Sequence, residues 1–250
     1  MATHDIRVGI GGWDFDPWRG DFYPEGLPKR RQLEYAAGKL TTIEINSTWY
    51  SRQTPATFAK WAASVPDGFR FAVKASRYCV TRPKLADAGE GIANFLKQGI
   101  VELRNRLGPI LWQLAPTRRF DADDIAAFLK LLPEKHEGLS LRHAIEPRHD
   151  SFDDPAFIAL AKQAGAAIVH ADAEDYPLID ALTADFAYAR LQRARLSSKT
   201  GYPPKEIGEW AEAAEGWASG GRETFVFFIS GAKVRNPVAA MALIRRLAKG

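Results

Sequence analysis

Glu44 and Asn46 interrupt a stretch that otherwise reads as a buried strand, Thr42-Ile43-Glu44-Ile45-Asn46, and similar interruptions recur along the chain. Lys74 follows Arg70-Phe71-Ala72-Val73, Gln113 closes Ile110-Leu111-Trp112, Glu146 and Arg148 follow Ala144-Ile145, and Arg190 lies within Phe186-Ala187-Tyr188-Ala189-Arg190-Leu191. Carboxylates, a lysine and arginines in such places suit acid/base chemistry on an anionic molecule. Glu146, with Glu44 second, has the chemistry of a general acid or base; Lys74, Arg148 and Arg190 can hold an anion and stabilise developing negative charge. The expected catalytic set is Glu44, Lys74, Glu146 and Arg190. The expected substrate-binding set is Asn46, Tyr50, Gln113, Arg148, His149, Asp172 and Lys233, with Asn46, Gln113 and Asp172 orienting the substrate.

These residues can cooperate only if their segments converge. Eight short runs with β-branched or aromatic content stand at 7–10, 42–45, 70–73, 110–113, 144–147, 167–171, 186–191 and 224–229. Between most of them lie stretches with helical apolar spacing and helix-end signals. Thr54-Pro55, Asp154-Pro155 and Asn236-Pro237 each place a capping side chain or a first-turn proline at a helix start. Gly165 is placed to end the second of these helices, and Gly108 follows a predicted helix containing Phe95, Leu103 and Leu107. The segment 174–184 has room for only a turn or two.

Strands alternating with helices pair in parallel through right-handed crossovers. Eight such units in 250 residues match a TIM-like (β/α)8 barrel, an α/β fold, in a single domain over 1–250, with irregular helices accommodated in the second half. A doubly wound sheet is the rival, and the strand count favours closure. Alternation along a strand then turns Ile43, Ile45, Val73, Trp112 and Ile145 to the helices and Glu44, Asn46, Lys74, Gln113, Glu146 and Arg148 to the lumen. His170 with Asp172, and Tyr188 with Arg190 and Gln192, share one side of strands six and seven. All would meet at the C-terminal mouth, where barrel enzymes carry their chemistry. The bland alternative is mutual neutralisation of three buried carboxylates and three cations; clustering at strand ends argues for a site.

Other barrel chemistries fit less well. A retaining glycosidase needs two carboxylates about 5 Å apart; strand four ends in Gln113 and strand seven carries Arg190, while Glu44 and Glu146 on strands two and five stand far apart round the ring. A Schiff-base lysine must be desolvated, and Glu44 on the adjacent strand would keep Lys74 charged. Glu146, His149, His170 and Asp172 are metal-ligand types on strands five and six, yet Arg148 and Arg190 share that space and no close-spaced ligand motif occurs, so no metal site is assigned. Gly9-Ile10-Gly11-Gly12 is an incomplete dinucleotide fingerprint, better read as a tight turn after strand one. No cofactor is specified.

The loops after strands four, seven and eight carry Arg118, Arg119, Arg193, Arg195, Lys199, Lys233 and Arg235 and no acid, whereas the loop after strand one carries Asp14, Asp16, Asp21 and Glu25 against Arg19. Gly231 and the Asn236-Pro237 helix start can present backbone N–H groups to an anion, with Lys233 and Arg235 supplying charge. Trp13, Trp49, Tyr50, Tyr78 and Tyr202, at or just past strand ends, can stack on a sugar or base. The long segment 76–91 could close as a lid.

The stretches GIGGW (9–13), LEYAAGKLTTIEINSTWY (33–50), FRFAVKASR (69–77) with Thr81, LGPILWQLAP (107–116), IEPRH (145–149) and TADFAYARL (183–191) together resemble the YecE-like family of proteins of unknown function (domain of unknown function 72). The resemblance runs from strand one to strand seven, weakens at strand eight, and implies a TIM-barrel-like fold without a settled activity. This chain departs from the family pattern at Gln192-Arg193 in place of His-Gly, at Arg82 in place of His, at Pro147 in place of an aromatic, and at Ile229-Ser230-Gly231 in place of paired asparagines. An altered or absent activity is the consequence if those groups take part in family chemistry.

Two function classes follow. The first is an enzyme on a small anionic molecule, phosphate- or carboxylate-bearing and sugar-like, with hydrolase, lyase or isomerase types all open. The second is a nucleic-acid-binding or processing protein that tracks phosphates with loops 114–120 and 193–205. The formal net charge of +4 permits an anionic partner without demanding one. No run approaches a membrane span, the opening MATHDIRVGIGGW is no secretory signal, and the lone Cys79 forms no internal disulfide; a cytoplasmic chain is expected. Oligomeric state is not written in these features.

Overall fold

Every pairing in the main sheet is parallel, as strand–helix alternation requires. In a computed structural model describing residues 6–249, the strands are β1 (Ile6–Gly11), β2 (Thr42–Ile45), β3 (Arg70–Lys74), β4 (Leu107–Gln113), β5 (His143–Glu146), β6 in two pieces (Ala167–Ile168 and His170–Asp172), β7 (Phe186–Leu191) and β8 (Glu223–Phe228). The first piece of β6 pairs with β5 and the second with β7, so the ring closes through a strand that changes partners at Val169. Helices α1 (Gln32–Ala37), α2 (Ser47–Tyr50), α3 (Pro55–Ala63), α4 (Arg77–Val80), α5 (Gly89–Leu96), α6 (Ala122–Leu131), α7 (Pro155–Gln163), α8 (Pro204–Ala218) and α9 (Asn236–Leu247) lie in the crossovers and after β8. The fold is an α/β barrel. No described helix is long and apolar enough to cross a membrane.

The cap signals act as their chemistry dictates. The Thr54 hydroxyl accepts from Thr57 N at 3.2 Å and Asp154 Oδ1 from Ala156 N at 2.7 Å, each satisfying a helix-end donor. One expected helix is not continuous. Apolar spacing runs from Phe95 to Leu107, but Gly99 turns left-handed at φ 103° and Arg104 sits at φ 51°. The chain therefore breaks into α5 and a 3-10 stretch, Ile100–Arg106, and Leu107-Gly108 already belongs to β4. Gly108 is there for space: a Cβ would lie 2.8 Å from the Phe71 carbonyl oxygen of β3.

Two apolar layers hold the barrel. Outside, Val8, Ile43, Val73, Trp112, Ile145, Val226 and Phe228 pack on the helices. Inside, Ala72, Leu111, Ala144, Val169, Phe186, Tyr188, Phe225 and Phe227 fill the lumen. Each large side chain so buried contributes about 1.5–3 kcal/mol. Below them the N-terminal rim is tied by Glu223, which takes Arg142 at 2.6 Å and also binds Arg7. β1 contributes glycine where others contribute side chains. A Cβ on Gly9 would lie 1.8 Å from the Thr42 oxygen and one on Gly11 2.9 Å from Asn46 Nδ2. The expected tight turn begins only at Gly12, φ 71°; Gly9 and Gly11 are strand residues.

Candidate functional site

The polar layer lies directly above Tyr188 and Phe227, at the C-terminal ends of the strands. Arg190 is its centre. Its Nε and Nη2 donate to Glu44 Oε2 and Oε1 at 3.1 Å each, and its Nη1 donates to both oxygens of Glu146 at 2.6 and 2.7 Å. Tyr188 donates to Glu44 Oε2 at 2.7 Å. Gln113 Nε2 donates to Glu146 Oε2, and Gln192 Nε2 to Glu146 Oε1 at 3.3 Å. The two carboxylates, expected to stand apart, thus share one guanidinium. Both are fully inaccessible to solvent, and neither lines the cavity above.

Electrostatics follow from that closure. Burial alone would raise the Glu146 carboxyl, but Arg190 and Arg148 more than reverse it, bringing it down to about 2. Burial works against the Arg190 charge, and Glu146 with Glu44 overcomes it, so its pKa is raised. Tyr188 is pushed up by burial and by the neighbouring Glu44 charge. Buried charges met by matched, charge-assisted hydrogen bonds of this kind form a fixed unit.

Lys74 differs. Its Nζ donates to Gln113 Oε1 at 2.7 Å and sits 4.2 Å from the centre of the Trp49 ring. Glu44 favours the charged form of Lys74 only from a distance: it is engaged by Arg190 and Tyr188, and the hydrogen-bond partner of Lys74 is a neutral amide. Burial, reinforced by the Arg190 charge and opposed by Glu44 and Glu146, lowers the amine to about 8.

Above this layer opens a cavity of about 700 Å³. Lys74, Gln113, Arg148 and Arg190 reach it from the barrel, Asn46 from just after β2, Tyr50 from α2, Lys233 from the loop after β8 and Asn236 from the start of α9. Trp13 and Trp61, edge to face with centroids 5.2 Å apart, line it as well, beside Gln53 and Asp14. Arg148 stacks on Tyr176 at 4.3 Å, donates to its hydroxyl at 3.2 Å and lies 3.6 Å from Glu146. Lys233 Nζ lies 4.3 Å from the Phe15 ring, and its pKa is lowered by burial against the pull of Asp14. The Asn236 side chain is 2% exposed; its Nδ2 donates to Ser230 O at 3.2 Å while Oδ1 has no partner. Trp61 and Gln53, from α3 and the turn before it, are lining residues that the sequence pattern does not mark, and Asn236, expected to offer its backbone, lines the cavity with its side chain as well.

Strand six runs in the opposite phase to expectation. Val169 faces the lumen, and His170 faces the helix layer, its ring 4.8 Å from that of Trp217 on α8. Burial lowers the His170 pKa, partly offset by Asp180. Asp172 also lies outside the cavity, bound by Arg193 Nε at 2.6 Å and near the Tyr202 hydroxyl at 3.4 Å; burial raises its pKa and Arg193 pulls it back. With Glu146 inside the barrel and His170 and Asp172 outside, these ligand types do not converge, and no group of three metal-ligating side chains occurs among the described residues. His149 does not line the cavity either; its Nδ1 accepts from Ser151 N at 3.1 Å. Tyr202, expected as a stacking platform, is 1% exposed and packs on Phe228.

The expected lid over 76–91 is pinned. Val80 and Leu85 are buried, Asp124 accepts from Leu85 N and Ala86 N at 3.0 and 2.9 Å, and Arg118 binds the Arg82 and Pro83 carbonyls. The basic loops are partly neutralised in the same way, through Arg118–Asp124, Arg193–Asp172 and Arg195–Glu206.

Comparisons with known proteins place this geometry. In Bacillus subtilis (strain 168), the UPF0759 protein YunF is 24% identical over 158 residues, which cover 61% of this chain and 54% of that protein. The match thus spans about half of that relative's length. Crystal structures of DUF72 family proteins superimpose over nearly the whole chain. EF0366 from Enterococcus faecalis V583 has a TM-score of 0.77 at 19% identity, covering 99% of each chain. TM1631 from Thermotoga maritima MSB8 has 0.76 at 20%, covering 98% of this chain and 99% of that one. D-psicose 3-epimerase with D-fructose shares the barrel more distantly, at a TM-score of 0.51 and 15% identity with 97% of each chain covered. The family model for the protein of unknown function DUF72 matches residues 7–250, and the chain belongs to that family.

Proposed function

We propose that the protein is an enzyme that binds a small anionic, sugar-like molecule at the mouth of the barrel and acts on it by proton transfer through Lys74. One observation carries this reading. A buried lysine, hydrogen-bonded to a neutral amide, opens into the same 700 Å³ cavity as Arg148, Arg190 and Lys233. Arg148 and Lys233 favour a phosphate or carboxylate group, Arg190 being matched already by Glu44 and Glu146. Trp13, Trp61 and Tyr50 offer flat apolar walls, and Asn46, Gln53 and Asn236 offer amides to hydroxyl groups. The acid/base role expected of Glu44 and Glu146 passes to Lys74, because both carboxylates are sealed below the cavity floor. They act as positioning residues: Glu146 holds the amide of Gln113, and that amide holds the Lys74 amine. In this reading Arg190 stabilises charge from the floor, while Arg148 and Lys233 bind the anion. His149 and Asp172, neither of which lines the cavity, stabilise its surrounding loops.

Calorimetric titration with inorganic phosphate, pyruvate and glucose 6-phosphate tests the reading. Saturable binding of at least one probe is expected, weakened roughly tenfold or more by Arg148→Ala, as for loss of a charge-assisted hydrogen bond worth about 1.5–3 kcal/mol. Absence of binding by all three, or binding indifferent to Arg148 and Lys233, overturns it.

A further inference from the structure

We infer that Lys74 is a covalent nucleophile, forming an imine with a small anionic aldehyde or ketone held at the barrel mouth. This rests on the anion-binding cavity of the proposed function and gives the same neutral amine a second role, bonding to carbon where the bound molecule carries a carbonyl. The geometry separates Lys74 from an ordinary surface amine in three ways. It is 8% exposed, yet it lines the cavity. Its Nζ is oriented by the 2.7 Å bond to Gln113 Oε1 and by the Trp49 face 4.2 Å away. Glu44 and Glu146, which could otherwise have trapped it as a salt-bridged ammonium, are bound by Arg190. Gln113 makes the arrangement one-directional: its amide nitrogen is taken by Glu146, so its oxygen faces the amine.

The lining lacks histidine and cysteine, and its carboxylate, Asp14, is paired with Lys29 at 2.7 Å, so the hydroxyls of Ser47, Ser230 and Tyr50 have no histidine or free carboxylate beside them to act as base. An amine is then the nucleophile best suited to the cavity, and carbonyl carbon is the electrophile that amines capture reversibly in water. The step balances without any further reagent. The Nζ lone pair attacks the carbonyl carbon as the C=O π pair moves to oxygen, and one proton passes from nitrogen to that oxygen to give the carbinolamine. The hydroxyl takes up a second proton and leaves as water while the nitrogen lone pair forms the C=N bond, and the nitrogen then releases its remaining proton, so that both hydrogens of the water come in net from the amine. The substrate's own anionic group is drawn to Arg148 and Lys233. A desolvated amine beside guanidinium groups is neutral in part near pH 8, the state that attack requires.

Reductive trapping decides the matter. The full chain is incubated with pyridoxal 5′-phosphate, an aldehyde bearing a phosphate, reduced with borohydride and mapped by peptide mass spectrometry. Labelling is expected to concentrate on Lys74, to be protected by excess inorganic phosphate, and to follow a rate midpoint near pH 8 while surface lysines rise only toward pH ~10. Lys74→Arg is expected to lose the site-specific label while retaining phosphate binding, and Arg148→Ala to slow labelling about tenfold without removing it. Phosphate binding that depends on Arg148 with no preferential label on Lys74, or a label centred on Lys233, overturns the imine and leaves the anion site standing. No phosphate binding together with uniform labelling of surface lysines overturns both. A rate midpoint in the ordinary lysine range overturns the activated amine even where Lys74→Arg proves unfolded.

Discussion

Glu44 and Glu146, on strands separated by β3 and β4, are bound by one guanidinium, each carboxylate through two hydrogen bonds to Arg190. The relationship locks three strands at one level of the lumen and closes the barrel's polar floor. Such a planar fork suits arginine and not lysine.

Glu146→Gln is therefore expected to destabilise the fold by about 3–5 kcal/mol, as when one partner of a buried ion pair is removed. Arg190→Lys should cost a similar amount, because an ammonium cannot bridge four oxygens in this geometry. Urea unfolding midpoints measure both. The Glu146 carboxyl stands at about 2 in the fold against about 4.3 in the unfolded chain. A depressed carboxyl contributes stability above the unfolded value and loses it as pH falls through the folded one. Stability relative to Glu146→Gln should decline between pH ~5 and pH ~2. Equal acid sensitivity in the variant would contradict the role given to Glu146.

How much of this was legible in the sequence depends on the strand. In β2, β3, β4, β5 and β7 the inward side alternates polar top with apolar middle, so Glu44, Lys74, Gln113, Glu146 and Arg190 declare their side by period alone. In β6 the residues 167–172 read Ala-Ile-Val-His-Ala-Asp, and a polar residue at every second position mimics a lumenal face. Small lumenal residues and a histidine seated between Trp210 and Trp217 reverse the truth, and only the helix packing reveals it. The sharing of Arg190 was hidden for another reason: reach across a narrow lumen depends on side-chain length and strand level, not on order round the ring. Apolar spacing likewise carried the expected helix through Gly99, where a left-handed turn breaks it. Trp61 and Gln53 come from elements whose pattern speaks of packing and turns, so that part of the cavity wall had no signal of its own, unlike Trp13, Tyr50 and Lys233.

Gly9→Ala is expected to be among the most damaging small changes in the chain. Its new methyl would lie 1.8 Å from a backbone oxygen of β2, and a strand backbone in a closed ring has nowhere to move. Loss exceeding the ~1–3 kcal/mol typical of overpacking, or failure to fold, should follow. Gly12→Ala is the control. No atom lies within 4 Å of the place its new methyl would take, and only φ 71° opposes it, a cost of about 1–2 kcal/mol. Thermal unfolding of the pair should rank Gly9→Ala far below Gly12→Ala.

Nucleic-acid tracking is expected to be weak. Arg118, Arg193 and Arg195 are held by Asp124, Asp172 and Glu206, so binding phosphates would mean breaking internal pairs. Duplex and single-stranded DNA, titrated across a salt series by fluorescence anisotropy, should show negligible binding near 150 mM salt and a shallow slope of log K on log salt. A steep slope, equivalent to six or more phosphate contacts, would favour the second function class.

Lys74 links stability to pH in the sense opposite to Glu146. Its amine is held at about 8 in the fold and near 10.4 when unfolded. Between those values the unfolded chain carries the extra proton, so stability rises with pH across that window. Below pH 8 the native state keeps a buried charge that costs about 3 kcal/mol; above pH ~10.4 both states are neutral and the cost is gone. Lys74→Met, of similar length and uncharged, removes this dependence. It also leaves Gln113 Oε1 without its donor, a pH-independent loss of about 1 kcal/mol. The variant should be the more stable protein near pH 7 and the less stable near pH 10.5, with the difference crossing zero in between. Parallel unfolding curves for the two proteins at every pH would mean that Lys74 titrates as an ordinary lysine, and the proton-transfer role assigned to it would lose its physical basis.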